Sequence, residues 1–198
     1  MATPDRFDRL RRATGRGAQS SDFDLDPDLH PKDRSLRAAA VLVGFEDTPQ
    51  GLRLILTKRA SGLKHHPGQI ALPGGKIDAT DKDAPAAALR EAEEEIGLPR
   101  AHVEVLGMLA PHETVTGFTV TPVLGRIIRP FTPVAEAGEV EEVFTVPFDH
   151  VADPANYIVE SRFFRGVRRQ FYTLPYGPYY IWGATARILR ALADGLTE

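Results

Sequence analysis

Three glutamates spaced for one face of a helix are the residues of this sequence whose types could do chemistry. Glu91, Glu94 and Glu95 stand at positions i, i+3 and i+4 of an acidic run that begins after Arg90. At about 100° per residue, a helix would bring the three carboxylates into one sector. Like charges at this spacing destabilise a helix, so a divalent cation such as Mg²⁺ or Mn²⁺, which prefers oxygen ligands, is the simplest compensation. The alternative is a solvated acidic face without a ligand.

The residues around the glutamates indicate how such a helix would be positioned. Gly74 and Gly75, which follow Pro73, predict a tight loop before it, and Gly97 predicts its C-terminal cap. A second sector, about 120° from the acidic one, is apolar. The sequence therefore predicts a helix over 84–96 with one side anchored in a core and the other concentrating negative charge. Its predicted anchoring residues are Ala88, Leu89, Ala92 and Ile96.

Together these residues resemble the Nudix box, whose pattern is G-x5-E-x7-R-E-U-x-E-E-x-G-U, with U a bulky apolar residue. Ala92 is a small occupant of the first U position. The chain departs from the pattern at Asp81, which replaces the first glutamate and is separated from Arg90 by eight residues instead of seven. This indicates a one-residue insertion in the loop, with the helical triad intact. The matching residues are Arg90, Glu91, Glu94, Glu95, Gly97 and Leu98.

The lengthened loop resembles the coenzyme A diphosphatase branch of this family. Residues 56–75 are also similar to that branch's signature, LLTxR[SA]x3Rx3Gx3FPGG. Lys64 stands where the signature has arginine and keeps its charge, although it lacks the bidentate fork of arginine. Leu72 stands where the signature has phenylalanine and remains apolar. The two motifs are contiguous and span residues 55–98, with a looser resemblance across most of the remaining chain.

The resemblance implies a fold and an activity. The fold would be a Nudix-type α/β/α sandwich with a mixed sheet. The activity would be metal-dependent hydrolysis of the diphosphate bond of coenzyme A or its acyl derivatives. The products would be adenosine 3′,5′-bisphosphate and 4′-phosphopantetheine or its acyl form. Two alternatives stay open: a Nudix hydrolase of ADP-ribose, dinucleotides or nucleoside triphosphates, and a non-catalytic nucleotide-binding module on the same fold.

The resemblance also implies roles for individual residues. Mg²⁺ or Mn²⁺ would be held by Glu91, Glu94 and Glu95, together with the carbonyl of Gly74. Arg90 would orient these carboxylates through charge-assisted hydrogen bonds. The alternative for Arg90 is a plain surface pair with Glu94, four residues further along the helix.

The general base and the substrate-binding cations each have several candidates. The base would be one of the box glutamates or a carboxylate that precedes the strand predicted at 140–146, where the candidates are Glu139, Glu141 and Glu142. A substrate with phosphate groups requires cations, and these are expected in the upstream signature. The candidates there are Lys58, Arg59, Lys64 and His66.

A second basic cluster stands late in the chain, in a predicted hairpin around Gly166. It would either contact a 3′-phosphate of the substrate or form a solvated hairpin. Its residues are Arg162, Arg165, Arg168 and Arg169.

The remaining elements predict one domain with an N-terminal extension. Residues 1–35 are polar and charged, and they predict a helix near 7–12 and an arm that pack on the domain outside its main core. Residues 36–198 then form a single domain. Strands are predicted at 38–45, 52–58, 69–72, 102–109, 118–128, 140–146 and 179–182, with a polar connection over 112–117 and a final helix over 184–192.

Bulk composition restricts the class of protein. The chain of 198 residues is 42% hydrophobic, carries a net charge of −3 and has no cysteine. A general nucleic-acid binder would show a basic footprint, which this charge argues against. No apolar run approaches the roughly 18 residues of a membrane span, and no signal peptide is evident. We therefore expect a cytoplasmic enzyme acting on a small molecule, with neither a nucleic-acid nor a membrane partner. The oligomeric state stays open.

Overall fold

A computed structural model describes residues 6–15, 18–164 and 166–197. Its α-helices are α1 (Arg6–Ala13), α2 (Ala84–Ile96), α3 (Phe148–Ala152) and α4 (Gly183–Thr197). Its first six strands are β1 (Ser20–Ser21), β2 (Arg37–Thr48), β3 (Gly51–Arg59), β4 (Ile70–Ala71), β5 (Gly74–Lys76) and β6 (Val103–Met108). The others are β7 (His112–Glu113), β8 (Phe118–Ile127), β9 (Val140–Pro147), β10 (Ile158–Phe164), β11 (Val167–Tyr176) and β12 (Tyr179–Trp182). Short 3₁₀ turns occur at Pro27–Leu29, Arg100–His102 and Pro154–Asn156.

Within the described residues, nine strands form one mixed sheet. Its path is β1-β7-β8-β2-β3-β4, with β5 paired to β2, β6 to β8 and β9 to β3. The central β2 and β8 run parallel from the pair Arg37–Phe118 to the pair Glu46–Ile127. The hairpin predicted from the two β-rich runs is β2 and β3, which are antiparallel and meet at Thr48 and Gly51. Strands β10, β11 and β12 form a separate antiparallel sheet.

Helices cover both faces of the large sheet, which confirms the predicted α/β/α sandwich with a mixed sheet. On one face, Ala88, Ala92 and Ile96 of α2 pack with buried residues of β2, β3 and β8. On the other face, α1, α3 and α4 share the larger apolar cluster, in which Leu10 and Leu189 are buried. None of the helices in the described segments is long and apolar enough to cross a membrane.

Helix α2 has the predicted bounds because both of its ends are capped. The Asp83 side chain accepts a hydrogen bond of 2.8 Å from the Ala86 N–H, which satisfies one of the free donors of the first turn. At the other end, Gly97 has φ 68° and donates to carbonyls of the last turn, as expected of a left-handed cap. Small alanines on the buried side allow the helix to lie close to the sheet.

The expectation that the N-terminal helix lies outside the main core is wrong. Phe7, Leu10 and Ala13 are buried in the larger apolar cluster. Their spacing of three residues puts them on one stripe of α1, and α4 packs against α1. The proposed division between residues 35 and 36 stays a prediction.

The connection predicted over 112–117 contains a short strand instead of only polar turns. Strand β7 pairs with β8 and, in parallel, with β1 of the N-terminal arm. His112 is fully buried and contacts the Ser20 hydroxyl at 2.9 Å and the Asp22 carboxylate at 3.2 Å. Asp22 also accepts the Val115 N–H at 2.8 Å. The arm is therefore fixed through hydrogen bonds between polar residues, which no apolar periodicity could indicate.

We expect Gly74→Ala to destabilise the fold, because Gly74 has φ 155° and a Cβ there would lie 2.4 Å from the carbonyl oxygen of Ala40. Strain and collision together should lower the free energy of unfolding by about 2 kcal/mol or more, measured by urea denaturation. Gly62→Ala is the control, since nothing lies within 4 Å of its built Cβ. Equal stability of the two variants would contradict the close packing of β5 on β2.

Candidate active site

Glu95 is a buried carboxylate held against the glycine loop. Its residue is only 5% exposed, and its Oε2 accepts the Gly74 N–H at 3.2 Å. The pKa of Glu95 is raised from 4.5 to about 7, first by burial and then by the charges of Glu91 and Glu139, while the hydrogen bond from Gly74 acts in the opposite direction. A strong cationic partner would keep the pKa of a buried carboxylate low. The raised pKa of Glu95 therefore indicates that it has no such partner among the described residues.

Glu91 is the second carboxylate that faces the loop. A Cβ on Gly75 would lie 2.6 Å from the Glu91 carboxylate carbon, so any other residue there would displace this carboxylate from its position. Burial raises the pKa of Glu91, and the nearby charges of Glu94 and Glu139 act in the same direction, while the hydrogen bond from Arg90 lowers it. Glu91 and Glu95 therefore share one partly desolvated, negatively charged space beside the Gly74–Gly75 turn.

Glu94 differs from the other two box glutamates. Its side chain is 57% exposed, and its Oε2 accepts a hydrogen bond of 3.0 Å from Arg90 Nη1. The helical spacing alone placed three carboxylates in one sector. The structure separates them into two that face the loop and one at the rim.

Arg90 connects the helix to the lengthened loop. Its Nε and Nη2 donate to the two oxygens of Asp81 at 3.0 and 2.9 Å, a bidentate arrangement. It also donates to Glu91 at 2.9 Å and to the Lys76 carbonyl at 3.1 Å. Arg90 is thus more than a surface partner of Glu94, because it also bonds Asp81, Glu91 and the Lys76 carbonyl. Its role in orienting the carboxylates stays a prediction.

Asp81 is a residue whose role the sequence reasoning missed. Its side chain is almost fully buried, and the hydrogen bonds from Arg90 hold the pKa of Asp81 below its ordinary value. Its N–H donates to the Asp78 carbonyl, and its carboxylate accepts the Asp78 N–H. These bonds close the inserted residue into a tight turn. The available signal was an acidic residue near the box position that normally holds glutamate.

The donor set fits a hard divalent cation in its chemistry and charge. Glu91 and Glu95 supply carboxylate oxygens whose pKa values are raised first by burial and further by neighbouring carboxylates. A bound cation would stabilise their charged form. In the part of the chain that the structure describes, no three acidic or histidine side chains already surround one point closely enough to hold an ion. The roles of Glu91, Glu94, Glu95 and Gly74 as ligands stay predictions.

Arg59 is the candidate cation that the structure brings toward these carboxylates. Arg59 stands four residues after Ile55 on β3, so alternation places its side chain on the α2 side of the sheet. Its charge lowers the pKa of Glu95. Its Nε is buried and has no hydrogen-bond partner among the described residues. A buried donor without a partner is costly, and an anionic ligand would satisfy it.

Lys58 lies on the other side of the sheet, so the candidate cations Lys58 and Arg59 do not face one cleft. Successive side chains of a strand point to opposite faces. Leu54 and Leu56 of β3 belong to the cluster under α3 and α4, and Ile55 belongs to the cluster under α2. Lys58 continues the first set and binds the Glu141 carboxylate at 2.6 Å.

An open cleft of about 490 Å³ lies on the Lys58 side. Its floor is partly aromatic, and Glu142 at its margin accepts a hydrogen bond of 2.5 Å from the Tyr179 hydroxyl. This bond raises the pKa of Tyr179. Its lining includes Lys58, Gln69, Glu142, Tyr179, Tyr180 and Trp182.

The remaining candidates lie at the surface around these two features. Glu139 is exposed, but its charge raises the pKa of both Glu91 and Glu95, so it lies near them. Lys64 and His66 are both exposed, on the loop between β3 and β4. His66 has φ 56°, an uncommon value for a residue other than glycine.

The second basic cluster mostly contacts its own chain. Arg162 lies over the rings of Phe171, Tyr180 and Trp182, with its guanidinium carbon 5.3 to 5.7 Å from their centroids. Arg168 donates to the Ser161 hydroxyl at 3.0 Å. Arg169 stacks on Phe23, and Arg165 lies outside the described residues. These contacts favour the interpretation as a hairpin without a substrate phosphate.

Comparisons with known proteins find the same family that the residues of the Nudix box resemble. The model of the NUDIX domain family matches residues 35–166. The chain is 44% identical over 170 residues to the uncharacterized Nudix hydrolase NudL of Salmonella dublin, covering 85% of this chain and 88% of that protein. It is 43% identical over 170 residues to its counterpart from Escherichia coli K12, with the same coverage. A MutT/nudix family protein from Enterococcus faecalis has a similar fold, with TM-score 0.52 and 16% identity over 85% of this chain and 64% of that one.

The raised pKa of Glu95 predicts a pH-dependent stability. The folded state keeps the proton to about pH 7, while the unfolded chain loses it near 4.5. The contribution of this group to stability is therefore fully present below pH 4.5 and is lost as the pH rises to about 7. In chelator, Glu95→Gln should gain about 2 kcal/mol over the wild type between about pH 5 and about pH 8.

Urea denaturation at the two pH values measures this difference. The substituted glutamine would keep an acceptor for the Gly74 N–H, so the change in charge is isolated. Glu93→Gln, on the solvent side of the same helix, is the charge-matched control and should follow the wild type. Parallel stability curves for Glu95→Gln and the wild type would contradict the buried position of this carboxylate.

Proposed function

This chain belongs to the Nudix family of hydrolases, and we propose that within this family it is a metal-dependent coenzyme A diphosphatase. A Nudix hydrolase cleaves the diphosphate bond of a small-molecule substrate with the help of divalent metal ions. The single observation that supports catalysis by this chain is the burial of Glu91 and Glu95 together against the Gly74–Gly75 turn. A binding module without catalysis has no need for two desolvated carboxylates at this cost.

The proposed chemistry rests on position and charge. A diphosphate resists attack because its own negative charge repels a nucleophile, so catalysis consists mainly of positioning and charge neutralisation. Glu91 and Glu95, with the Gly74 carbonyl, would hold Mg²⁺ or Mn²⁺, and Glu94 would complete the set from the rim. When bound, the ion supplies positive charge against the phosphate oxygens.

Two arginines have separate proposed roles. Arg90 is proposed as a positioning residue, because its bonds to Asp81 and the Lys76 carbonyl join the helix to the loop, and its bond to Glu91 directs that carboxylate. Arg59 is the proposed phosphate ligand, because its buried Nε lacks a partner among the described residues and its charge reaches Glu95. A phosphate oxygen would give this donor the acceptor that those residues do not provide.

Glu139 is our choice for the general base among the loop carboxylates. Its charge acts on both Glu91 and Glu95, so it lies on the reacting side. Glu141 is paired with Lys58, and Glu142 accepts the Tyr179 hydroxyl in the other cleft. These two are therefore less available to take a proton from water beside the phosphates.

The preference for coenzyme A rests on residues 56–75 and the lengthened loop. The signature ends at the Gly74–Gly75 turn, so it contributes both Arg59 and the glycine cradle. Lys64 and His66 are proposed to approach the substrate from the loop between β3 and β4. Lys58 would act from the neighbouring cleft, whose aromatic floor suits the organic part of a large substrate.

We expect hydrolysis to require a divalent ion and to decrease at least about 100-fold in Glu95→Gln, in line with removal of a main electrostatic element. The variant keeps the shape of the side chain but removes its charge. Initial rates with Mg²⁺, Mn²⁺ and excess chelator measure this. Glu93→Gln should stay near the wild-type rate. Full turnover by the wild type in chelator would overturn the metal mechanism.

We expect kcat/KM to be higher for coenzyme A than for ADP-ribose, with adenosine 3′,5′-bisphosphate and 4′-phosphopantetheine as the products. Chromatography of products from a panel of both substrates, a dinucleotide and a nucleoside triphosphate measures this. Charge reversal in Arg59→Glu should decrease coenzyme A hydrolysis about 10-fold or more, while binding of Mn²⁺ changes little. A better rate with ADP-ribose or a triphosphate would reject the coenzyme A assignment and keep the family assignment.

A further inference from the structure

Strand β10 forms an open edge that carries exposed apolar side chains. It lies at one end of the three-stranded sheet, and no strand within the described segments pairs with its outer side. Ile158 and Val159 are 51% and 46% exposed, and Phe163 and Phe164 are 78% and 58% exposed. Natural proteins usually protect such an edge with charges, proline or a covering element. Here charged residues stand only in the middle of the strand, and exposed apolar residues occupy both of its ends.

The hydrogen bonds of β11 show which backbone groups of β10 face outward. Ser161 lies opposite Gln170, and the Gln170 N–H donates to the Asp26 carboxylate at 2.6 Å. That N–H therefore points away from β10, which makes Ser161–Gln170 a pair without mutual hydrogen bonds. By alternation, Val159, Ser161 and Phe163 direct their N–H and C=O groups to the open edge.

We propose that this edge binds a second copy of the chain, with two β10 strands paired antiparallel about a twofold axis at Ser161. Each Ser161 then faces its own counterpart, and Val159 faces Phe163 of the other copy. Val159, Ser161 and Phe163 are the residues whose backbone groups point outward. The pair Ser161–Ser161 and the two pairs Val159–Phe163 can therefore each exchange two hydrogen bonds. The two small sheets become one continuous sheet, and the edge is closed.

The side chains select this register over its neighbours. Pairing about Ser161 places Glu160 opposite Arg162 on both sides of the axis and Ile158 opposite Phe164. A shift that puts Glu160 on the axis would oppose two glutamates, and a shift to Arg162 would oppose two arginines. Opposite charges across strands stabilise a pair, and like charges destabilise it. The same surface serves both copies, as a twofold dimer requires.

The wild type should be a dimer in sedimentation velocity and light scattering at micromolar concentration. Glu160→Arg opposes like charges twice, so we expect its dimer dissociation constant to rise at least about tenfold. The double variant Glu160→Arg with Arg162→Glu restores opposite charges across the axis and should recover dimerisation. It does not restore the contacts of Arg162 with its own aromatic rings, so recovery would report pairing between copies. Far-UV circular dichroism verifies that each variant is folded.

A cross-link tests the register independently, because the natural sequence has no cysteine. Opposed residues of a hydrogen-bonded pair lie about 5.5 Å apart between Cα atoms, within the range of a disulfide. Ser161→Cys should therefore become a covalent dimer under mild oxidation. Arg168→Cys is the matched control, since it also loses the Arg168–Ser161 hydrogen bond but lies one strand inward. A monomeric wild type, or equal cross-linking of the two variants, would overturn the proposal.

Discussion

The burial of two carboxylates in one space is the constraint on which the rest of the site depends. Glu91 and Glu95 lie against a loop, and desolvation raises both pKa values. This arrangement needs a helix close to the sheet, which the small side chains of Ala88 and Ala92 allow. It also needs a loop without side chains, since a Cβ at Gly75 would occupy the place of a carboxylate. The desolvation of these carboxylates costs stability at neutral pH, a common compromise at functional sites, and under the proposed function a bound cation would offset that cost.

Arg90 fixes the acidic helix relative to the loop that precedes it. Its guanidinium joins the acidic helix to the inserted turn through the bidentate pair with Asp81. The Arg90 guanidinium, which could otherwise neutralise the site, is thereby held at its border. Of the two carboxylates that face the loop, it bonds only Glu91. Negative potential is preserved around Glu95, where Arg59 is the cation that acts on the carboxylate from a distance.

Local signals explain which parts of the structure could be predicted from the sequence. The capping residues and the apolar sector gave helix α2 its bounds, and the β-rich runs gave the main strands. Lys58 and Arg59 point to opposite faces because successive side chains of a strand alternate. The motif gives only their positions along the chain and not the face to which each side chain points. Asp81 and the buried His112 were missed because their partners are determined by tertiary contacts. The difference between the exposed Glu94 and the buried Glu95 depends on the position of the loop, which a helical projection does not contain.

The N-terminal arm has a consequence for how the chain acquires its structure. Ser20 binds His112, which stands 92 residues later, and Asp24 binds Arg187, 163 residues later. During synthesis, the apolar stripe of α1 emerges long before α4, the helix that covers it. The residues of α1 and the arm are therefore made long before the residues that they finally contact, and contacts of such long sequence separation slow folding. The nascent chain must carry Phe7 and Leu10 without their helical cover until residues 183–197 have been translated.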